Sequence, residues 1–285
     1  MINKITDVII IGAGPSGIAC AIQLKRHKIE SVVFEKSEIG GLLKNANLVE
    51  NYLGFPNGIS GNKFVQLLKK QTKNNNINIK HETVEIVEFF NNTLNVKTNK
   101  EVYHSKHLVI ASGTKPILLR APILREDIQD KVFFEIYKLG QIEHKNIAII
   151  GAGDCAFDYA LNLSTNNNVI ILNRSKTIKA LSILQDRVLK SKNIKYFDNV
   201  FVKQINTKNK KLALLCHPND EIIYSDYLLF AIGREPNLDF INRDLLKHHN
   251  VFQIGDVTNG QFRQVSIAIG DGTFTAMKIN NILNK

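Results

Sequence analysis

Two stretches of this chain repeat one another at long range, and they limit what it can fold into. Residues 7–12 (DVIIIG) and 146–151 (NIAIIG) are apolar runs ending on glycine, and each continues into a tight turn, a helix and a second apolar strand. Gly12, Gly14 and Gly17 form a G-x-G-x-x-G, and Gly151, Gly153 and Ala156 form its G-x-G-x-x-A variant. In such a motif the first glycine permits the tight turn, the second lets backbone approach a pyrophosphate, and the third lets helix and strand pack closely. The pyrophosphate rests on the helix N-terminus, where unpaired N–H groups and the helix dipole favour negative charge. Gly12 and Gly151 stand 139 residues apart, which makes this a duplicated fold rather than a short solenoid repeat.

Between the motifs, VEIVEFF, TLNVKT, EVYHSK and HLVIASG are short alternating segments that suggest an antiparallel sheet feeding back into a parallel strand. KLALLCH and EIIYSDYLLFAIGREPN mirror that region after the second motif, and the chain ends on a strand, a loop and an amphipathic helix. The expected fold is α/β: two Rossmann-like (three-layer ββα) dinucleotide-binding domains, the second inserted in the first. The first is placed at residues 1–116 and 237–285 and the second at 117–236, with GTKPILLRAP (113–122) as the linker.

The ends of the second strands differ. Glu35 follows Gly12 by 23 residues, where a carboxylate can accept both ribose hydroxyls; its alternative is a plain surface charge. The corresponding residue of the second unit is Asn173, followed by Arg174. With no carboxylate to repel it, a 2'-phosphate can be held there by Arg174 with Lys176 or Lys179, which favours NADPH over NADH; these cations also suit a solvated loop. Different ribose chemistry implies two different dinucleotides, FAD held in the first unit and a nicotinamide cofactor received by the second.

Composition narrows the rest. At 285 residues and 44% hydrophobic content, the chain has enough apolar material for two cores. It lacks an unbroken apolar run of membrane-spanning length, so a cytoplasmic protein without membrane attachment is expected. The net charge of +11 comes from lysines scattered among asparagines and isoleucines, without the basic stripe and stacking aromatics that nucleic-acid binding requires. Such a surface still suits a small acidic electron-carrier partner. Cys20, Cys155 and Cys216 show no CxxC and no metal-type spacing, and no histidine grouping makes a ligand set, so no metal is expected. Cys20 reads as core packing and Cys155 as a small residue at a helix start, a place that can also lower a thiol pKa.

These residues resemble the thioredoxin-reductase-like family of two-domain flavoproteins, over essentially the whole chain. IIIGAGPSG with Glu35 is similar to the family's FAD fingerprint, EIGGLLKNANLVENYLGFP to its flavin-side loop, and VIASGTKP to its Ala-Thr-Gly strand end. FAIGREPN and IGDVTNGQFRQVSIAIGDGTFTA are similar to the nicotinamide-domain strand end and to the second FAD motif. The resemblance implies FAD contacts from Gly12, Gly14, Pro15, Ser16, Gly17, Glu35, Gly40, Gly41, Asn51, Val84, Ala111, Ser112 and Gly113. It adds Gly255, Asp256 at the ribitol chain, and Arg263, Gln264 and Val265 at the isoalloxazine. For NAD(P) it implies Gly151, Gly153, Asp154, Cys155, Ala156, Asn173, Arg174 and Lys179, and it implies a homodimer.

The departure from that family is chemical. Its redox-active CxxC sits just before the second glycine motif, and residues 130–146 (DKVFFEIYKLGQIEHKN) contain no cysteine. Residues 36–52, where a related reductase keeps its dithiol, contain none either. Thiol–disulfide exchange needs a thiolate beside a second sulfur. GAGDCAFDYAL, with Asp154 and Asp158, looks close to the second motif of ferredoxin/flavodoxin-NADP reductases, which also lack the dithiol but carry a C-terminal extension over the flavin. The expectation is therefore a FAD-dependent oxidoreductase that takes hydride from NADPH (or NADH) and passes electrons directly to an external acceptor, a ferredoxin/flavodoxin-like protein or a small molecule, with no catalytic side chain. A dithiol-free FAD-binding paralogue with a regulatory, partner-binding or biosynthetic role is the alternative. Phe133 and Phe134 suit either a flavin shield or core packing.

Overall fold

The computed structural model describes residues 5–118 and 126–284, so Pro122 and its neighbours at the end of the expected linker lie outside the described residues. Strand β1 (Thr6–Ile11) leads through the first glycine turn into helix α1 (Pro15–Arg26) and strand β2 (Ser31–Phe34). Val8 to Ile11 are buried, as a central parallel strand covered on both faces requires. Helix α2 (Gly61–Asn74) starts at Ser60, whose hydroxyl accepts from Lys63 N, and it runs into the asparagine-rich stretch. Strands β3 (Ile79–Lys80), β4 (Val84–Phe90), β5 (Thr93–Thr98), β6 (Val102–Ile110) and β7 (Thr114–Pro116) follow.

The chain then builds β8 (Val132–Phe133), β9 (Asn146–Ile150), α3 (Asp154–Leu163), β10 (Asn168–Leu172), α4 (Ser182–Lys190) and β11 (Ile194–Phe197). A meander of β12 (Phe201–Lys208), β13 (Lys211–His217) and β14 (Glu221–Ser225) precedes β15 (Tyr227–Phe230) and β16 (Arg234–Pro236). Strand β17 (Val251–Gln253) and helix α5 (Val265–Leu283) close the chain.

These elements form two compact units, residues 1–44, 49–115 and 235–285 in one, residues 45–48 and 116–234 in the other. Unit 1 is built on a sheet ordered β3-β2-β1-β6-β5-β4, with β17 also paired to β6. Strands β1, β2, β3 and β17 run parallel to their neighbours and β4, β5 and β6 pair antiparallel, as the alternating segments suggest. In unit 2 the parallel sheet β11-β10-β9-β15-β8 repeats the plan, and β12-β13-β14 make a separate antiparallel sheet. Strands β7 and β16, where the chain passes from one unit to the other and back, pair with each other in a two-stranded ribbon. No helix among the described residues is long and apolar enough to cross a membrane.

Helices α1 and α5 of unit 1 touch at backbone distance because Gly272 has no side chain. A Cβ there would stand 2.2 Å from Ser16 O and 3.0 Å from Cys20 N. Cys20 is fully buried in this layer, and burial pushes its thiol pKa up. Gly272→Ala is expected to destabilise the chain by about 3 kcal/mol, measured by denaturant unfolding, because both helices must shift apart.

On β6, His107 is buried and neither ring nitrogen has a hydrogen-bond partner. Burial lowers its pKa, Lys106 and His249 acting in the same direction and Asp7 against it. The folded state therefore holds a neutral imidazole, and stability is complete above the ordinary histidine pKa and is lost as pH falls through the lowered folded value. His107→Leu is expected to shrink the fall in Tm between about pH 7.5 and about pH 5.

Candidate functional site

In unit 1 the turn after β1 is shaped by missing side chains. Gly12 has φ +107°, and a Cβ on it would stand 2.3 Å from Ala111 O; one on Gly17 would stand 2.0 Å from Gly12 O. Gly14 caps α1 in extended conformation and faces open space, where a Cβ would meet nothing within 4 Å. No side chain caps this helix, no acidic residue lies in its first turn, and Pro15 has no N–H to leave unpaired. The result is an uncapped helix start, open over Gly14, that favours an anion.

Glu35 stands at the end of β2, only 8% exposed, and is no plain surface charge. Its Oε2 accepts from Ala13 N at 2.8 Å and its Oε1 from Ser37 N at 2.9 Å. These bonds fix the carboxylate against the glycine turn and leave its oxygens further acceptor capacity.

Three further segments meet this turn. Gly40 N donates to Ala13 O at 2.8 Å, and a Cβ on Gly41 would stand 3.4 Å from Gly14 Cα. Gly255, at φ +73°, lies so close that a Cβ would stand 2.6 Å from Ser16 Oγ. Asn51 and Gln264, 213 residues apart, share a 2.9 Å bond from Asn51 Nδ2 to Gln264 Oε1, just where Gln264 caps α5 ahead of Val265. Ser112 Oγ donates to Asn237 O at 2.7 Å beside Gly113. Val84 opens β4 and pairs with Thr98, and Asp256 and Arg263 lie half-buried in the segment leading to α5. Asp271 escaped the sequence reading: its Oδ2 accepts from Gly255 N at 3.0 Å and Asn259 Nδ2 at 2.7 Å, bracing the segment that carries Asp256.

Unit 2 repeats the turn with a different rim. A Cβ on Gly151 would stand 2.3 Å from Ala231 O, Gly153 faces open space at the start of α3, and Ala156 is fully buried. Asn173 is buried, its Nδ2 donating to Thr177 O at 3.0 Å and Tyr196 Oη at 2.9 Å while its Oδ1 accepts from Ser175 N at 3.2 Å. Its amide thus braces the loop that presents Arg174, Lys176 and Lys179 to solvent. That loop returns to the turn, Lys179 N and Ala180 N both donating to Ala152 O. Asp154, the one acid in the first turn of α3, accepts from Leu181 N at 2.8 Å.

Where the sequence offers two uses for Phe133 and Phe134, the structure gives core packing. Phe134 stacks on Phe230 at 5.5 Å and Phe133 meets Tyr227 edge-on at 5.9 Å, both inside unit 2. Next along the chain, Glu135 is buried, paired with Arg234 Nη1 at 2.6 Å and accepting from Asn45 Nδ2 at 2.6 Å. Asp158 accepts from Asn47 N at 2.8 Å. Burial pushes its pKa up to about 6 against the opposing pull of the Asn47 and Leu48 N–H bonds and Arg187, with Asp154 adding to the rise. No local pattern announces Asn45, Glu135 and Arg234, which lie up to 99 residues from their partners. The three cysteines are free, Cys20 and Cys216 buried and Cys155 exposed.

Comparison with known proteins agrees with this architecture. Among curated relatives, thioredoxin reductase of Borreliella burgdorferi is 27% identical over 310 residues, covering 99% of this chain and 93% of the relative. A protein of Clostridium pasteurianum described as a 34.2 kDa protein in rubredoxin operon is 27% identical over 299 residues, covering 96% of each chain. In fold, the chain is similar to thioredoxin reductase of Lactococcus lactis, with a TM-score of 0.88, 24% identity and coverage of 98% and 99% of the two chains. It is also similar to the bacillithiol disulfide reductase of Staphylococcus aureus, with a TM-score of 0.77, 21% identity and 98% coverage of each. The family model for pyridine nucleotide-disulphide oxidoreductases matches residues 6–272, and with its paired glycine turns the chain belongs to that family.

Proposed function

We propose that unit 1 holds FAD, that unit 2 receives NADPH, and that the enzyme passes electrons to an external acceptor without a dithiol of its own. The observation that carries this reading is the difference between the two rims: one glycine turn ends on the fixed carboxylate of Glu35, the other on a loop of exposed cations. A carboxylate receives ribose hydroxyls, and Arg174 with Lys176 and Lys179 receives a 2'-phosphate.

The residues of each unit fit its nucleotide. The uncapped starts of α1 and α3 take the pyrophosphates, and Gly14 and Gly153 leave room for them. Gly41, Asn51, Val84, Ala111, Ser112, Gly113 and Val265 would contact the FAD, with Arg263 and Gln264 at the isoalloxazine. Asp256, on the segment braced by Asp271, would hold the ribitol chain. When bound, the flavin supplies the chemistry, accepting hydride at N5 and releasing electrons singly or in pairs. The protein orients both rings, keeps water out and needs no nucleophile of its own.

The thiols support a dithiol-free route. Cys20 lies on α1 in the layer packed with α5, Cys216 on β13 in the core, and burial raises the pKa of both. Cys155 is exposed but free, its pKa also raised by burial, and it has no second sulfur beside it, so exchange has no dithiol to use and the chain is not read as a thioredoxin reductase. The name of the Clostridium relative, from a rubredoxin operon, favours a small electron-carrier protein as acceptor, and the +11 charge of this chain suits an acidic one. The proposal includes a soluble cytoplasmic homodimer.

Anaerobic mixing of the purified yellow protein with NADPH is expected to bleach the flavin band rapidly, and NADH more slowly; stopped-flow absorbance reads both. A flavin that neither nucleotide bleaches would overturn the reductase and leave a FAD-binding protein of other use. Arg174→Ala is expected to raise the NADPH concentration for half-maximal bleaching about tenfold while leaving that for NADH unchanged, since one charge-assisted contact to phosphate contributes on the order of 1.4 kcal/mol.

A further inference from the structure

Between β10 and α4 of unit 2 the chain alternates exposed and anchored residues. Arg174, Lys176 and Lys179 are exposed, whereas Asn173 and Ala180 are buried and Ile178 packs against the unit 2 core. Three cations so close in sequence repel one another and disfavour a compact loop, so other contacts must hold it. At the far end Lys179 N and Ala180 N donate to Ala152 O, inside the glycine turn, and Leu181 N donates to Asp154 at the start of α3. At the near end the anchor is a single side-chain amide.

The Asn173 carboxamide uses both of its ends. Its Oδ1 accepts from Ser175 N at 3.2 Å, and its Nδ2 donates to Thr177 O at 3.0 Å and to Tyr196 Oη at 2.9 Å. Ser175 N can only donate and Thr177 O can only accept, so an amide in this one orientation serves both, while a carboxylate would set an oxygen against Thr177 O. The backbone is fixed as well, Asn173 N donating to Phe197 O and Val200 N to Asn173 O, both at 2.9 Å. Tyr196, on β11, carries its ring into the core, 5.9 Å from that of Phe157, a buried residue of α3. The bend that bears Arg174 and Lys176 is thus tied through one amide to a tyrosine of the core.

We propose that Tyr196 is a specificity-determining positioning residue of unit 2. Its hydroxyl holds the Asn173 amide, and through it the bend of residues 174–177, so that Arg174 and Lys176 form a prepared site for the nucleotide's 2'-phosphate. Tyr196 acts without touching the nucleotide. A loop already held in shape avoids the ordering cost that a loose run of like charges would carry on binding. The inference rests on the reading of unit 2 as the NADPH site and adds what makes that site selective.

Calorimetric titration of the full-length protein, saturated with FAD, tests this without turnover. The probes are adenosine 2',5'-bisphosphate, which carries the 2'-phosphate, and 5'-AMP, which lacks it. The wild type is expected to bind the bisphosphate about tenfold more tightly. Tyr196→Phe removes the hydroxyl and keeps the ring against Phe157; it is expected to cut that ratio about fivefold, the scale of one hydrogen bond, with the 5'-AMP affinity unchanged. Because Tyr196 acts through Asn173, adding Tyr196→Phe to Asn173→Ala is expected to cost nothing further. A wild-type ratio in Tyr196→Phe would overturn the inference, as would an equal loss for both probes, the mark of a merely structural role, or a further loss in the double variant. Should Asn173→Ala not fold, the Tyr196→Phe comparison decides alone. A wild type that binds the two probes equally is a different failure: it overturns the NADPH reading and this inference with it.

Discussion

A carbonyl oxygen occupies the space where residue 12 would carry a side chain, and another does so at residue 151. Ala111 O and Ala231 O each stand 2.3 Å from the missing Cβ, so the neighbouring strand end crosses directly behind the turn. From this one contact the layout of each unit follows. The first strand can end beside the strand behind it, the helix can start at once, and its uncapped N–H groups open over Gly14 or Gly153. Any larger residue would push strand and helix apart and close that opening. What distinguishes the two units lies one strand away, in a carboxylate at Glu35 and an amide at Asn173.

The strand-turn-helix units were legible because their signals are local. Continuous apolar runs mark strands buried on both faces, and glycine spacing marks the turn. The antiparallel β4, β5 and β6 were legible from period-two alternation, and Glu35 from its distance along the chain. Asn173 follows the end of β10, and its amide is spent on Thr177, Tyr196 and Ser175, so it shapes the cationic loop from within. Spacing locates a residue; only packing shows which of its hydrogen bonds are already taken.

The residues that stayed hidden share a different property. Asn45, Glu135 and Arg234 form a buried polar cluster whose members come from three distant segments. A buried ion pair gains little net stability over an apolar substitute, while loss of one partner alone strands a charge and costs about 3–5 kcal/mol. Such a cluster specifies which segments meet, and no periodicity records it. Asp271 went unseen for a similar reason, its two donors lying 16 and 12 residues away in sequence.

The ribbon of β7 and β16 brings the entry and exit of unit 2 side by side. In evolutionary terms this is a cassette: a segment whose two ends are neighbours can be inserted into, or exchanged between, host chains with little disturbance.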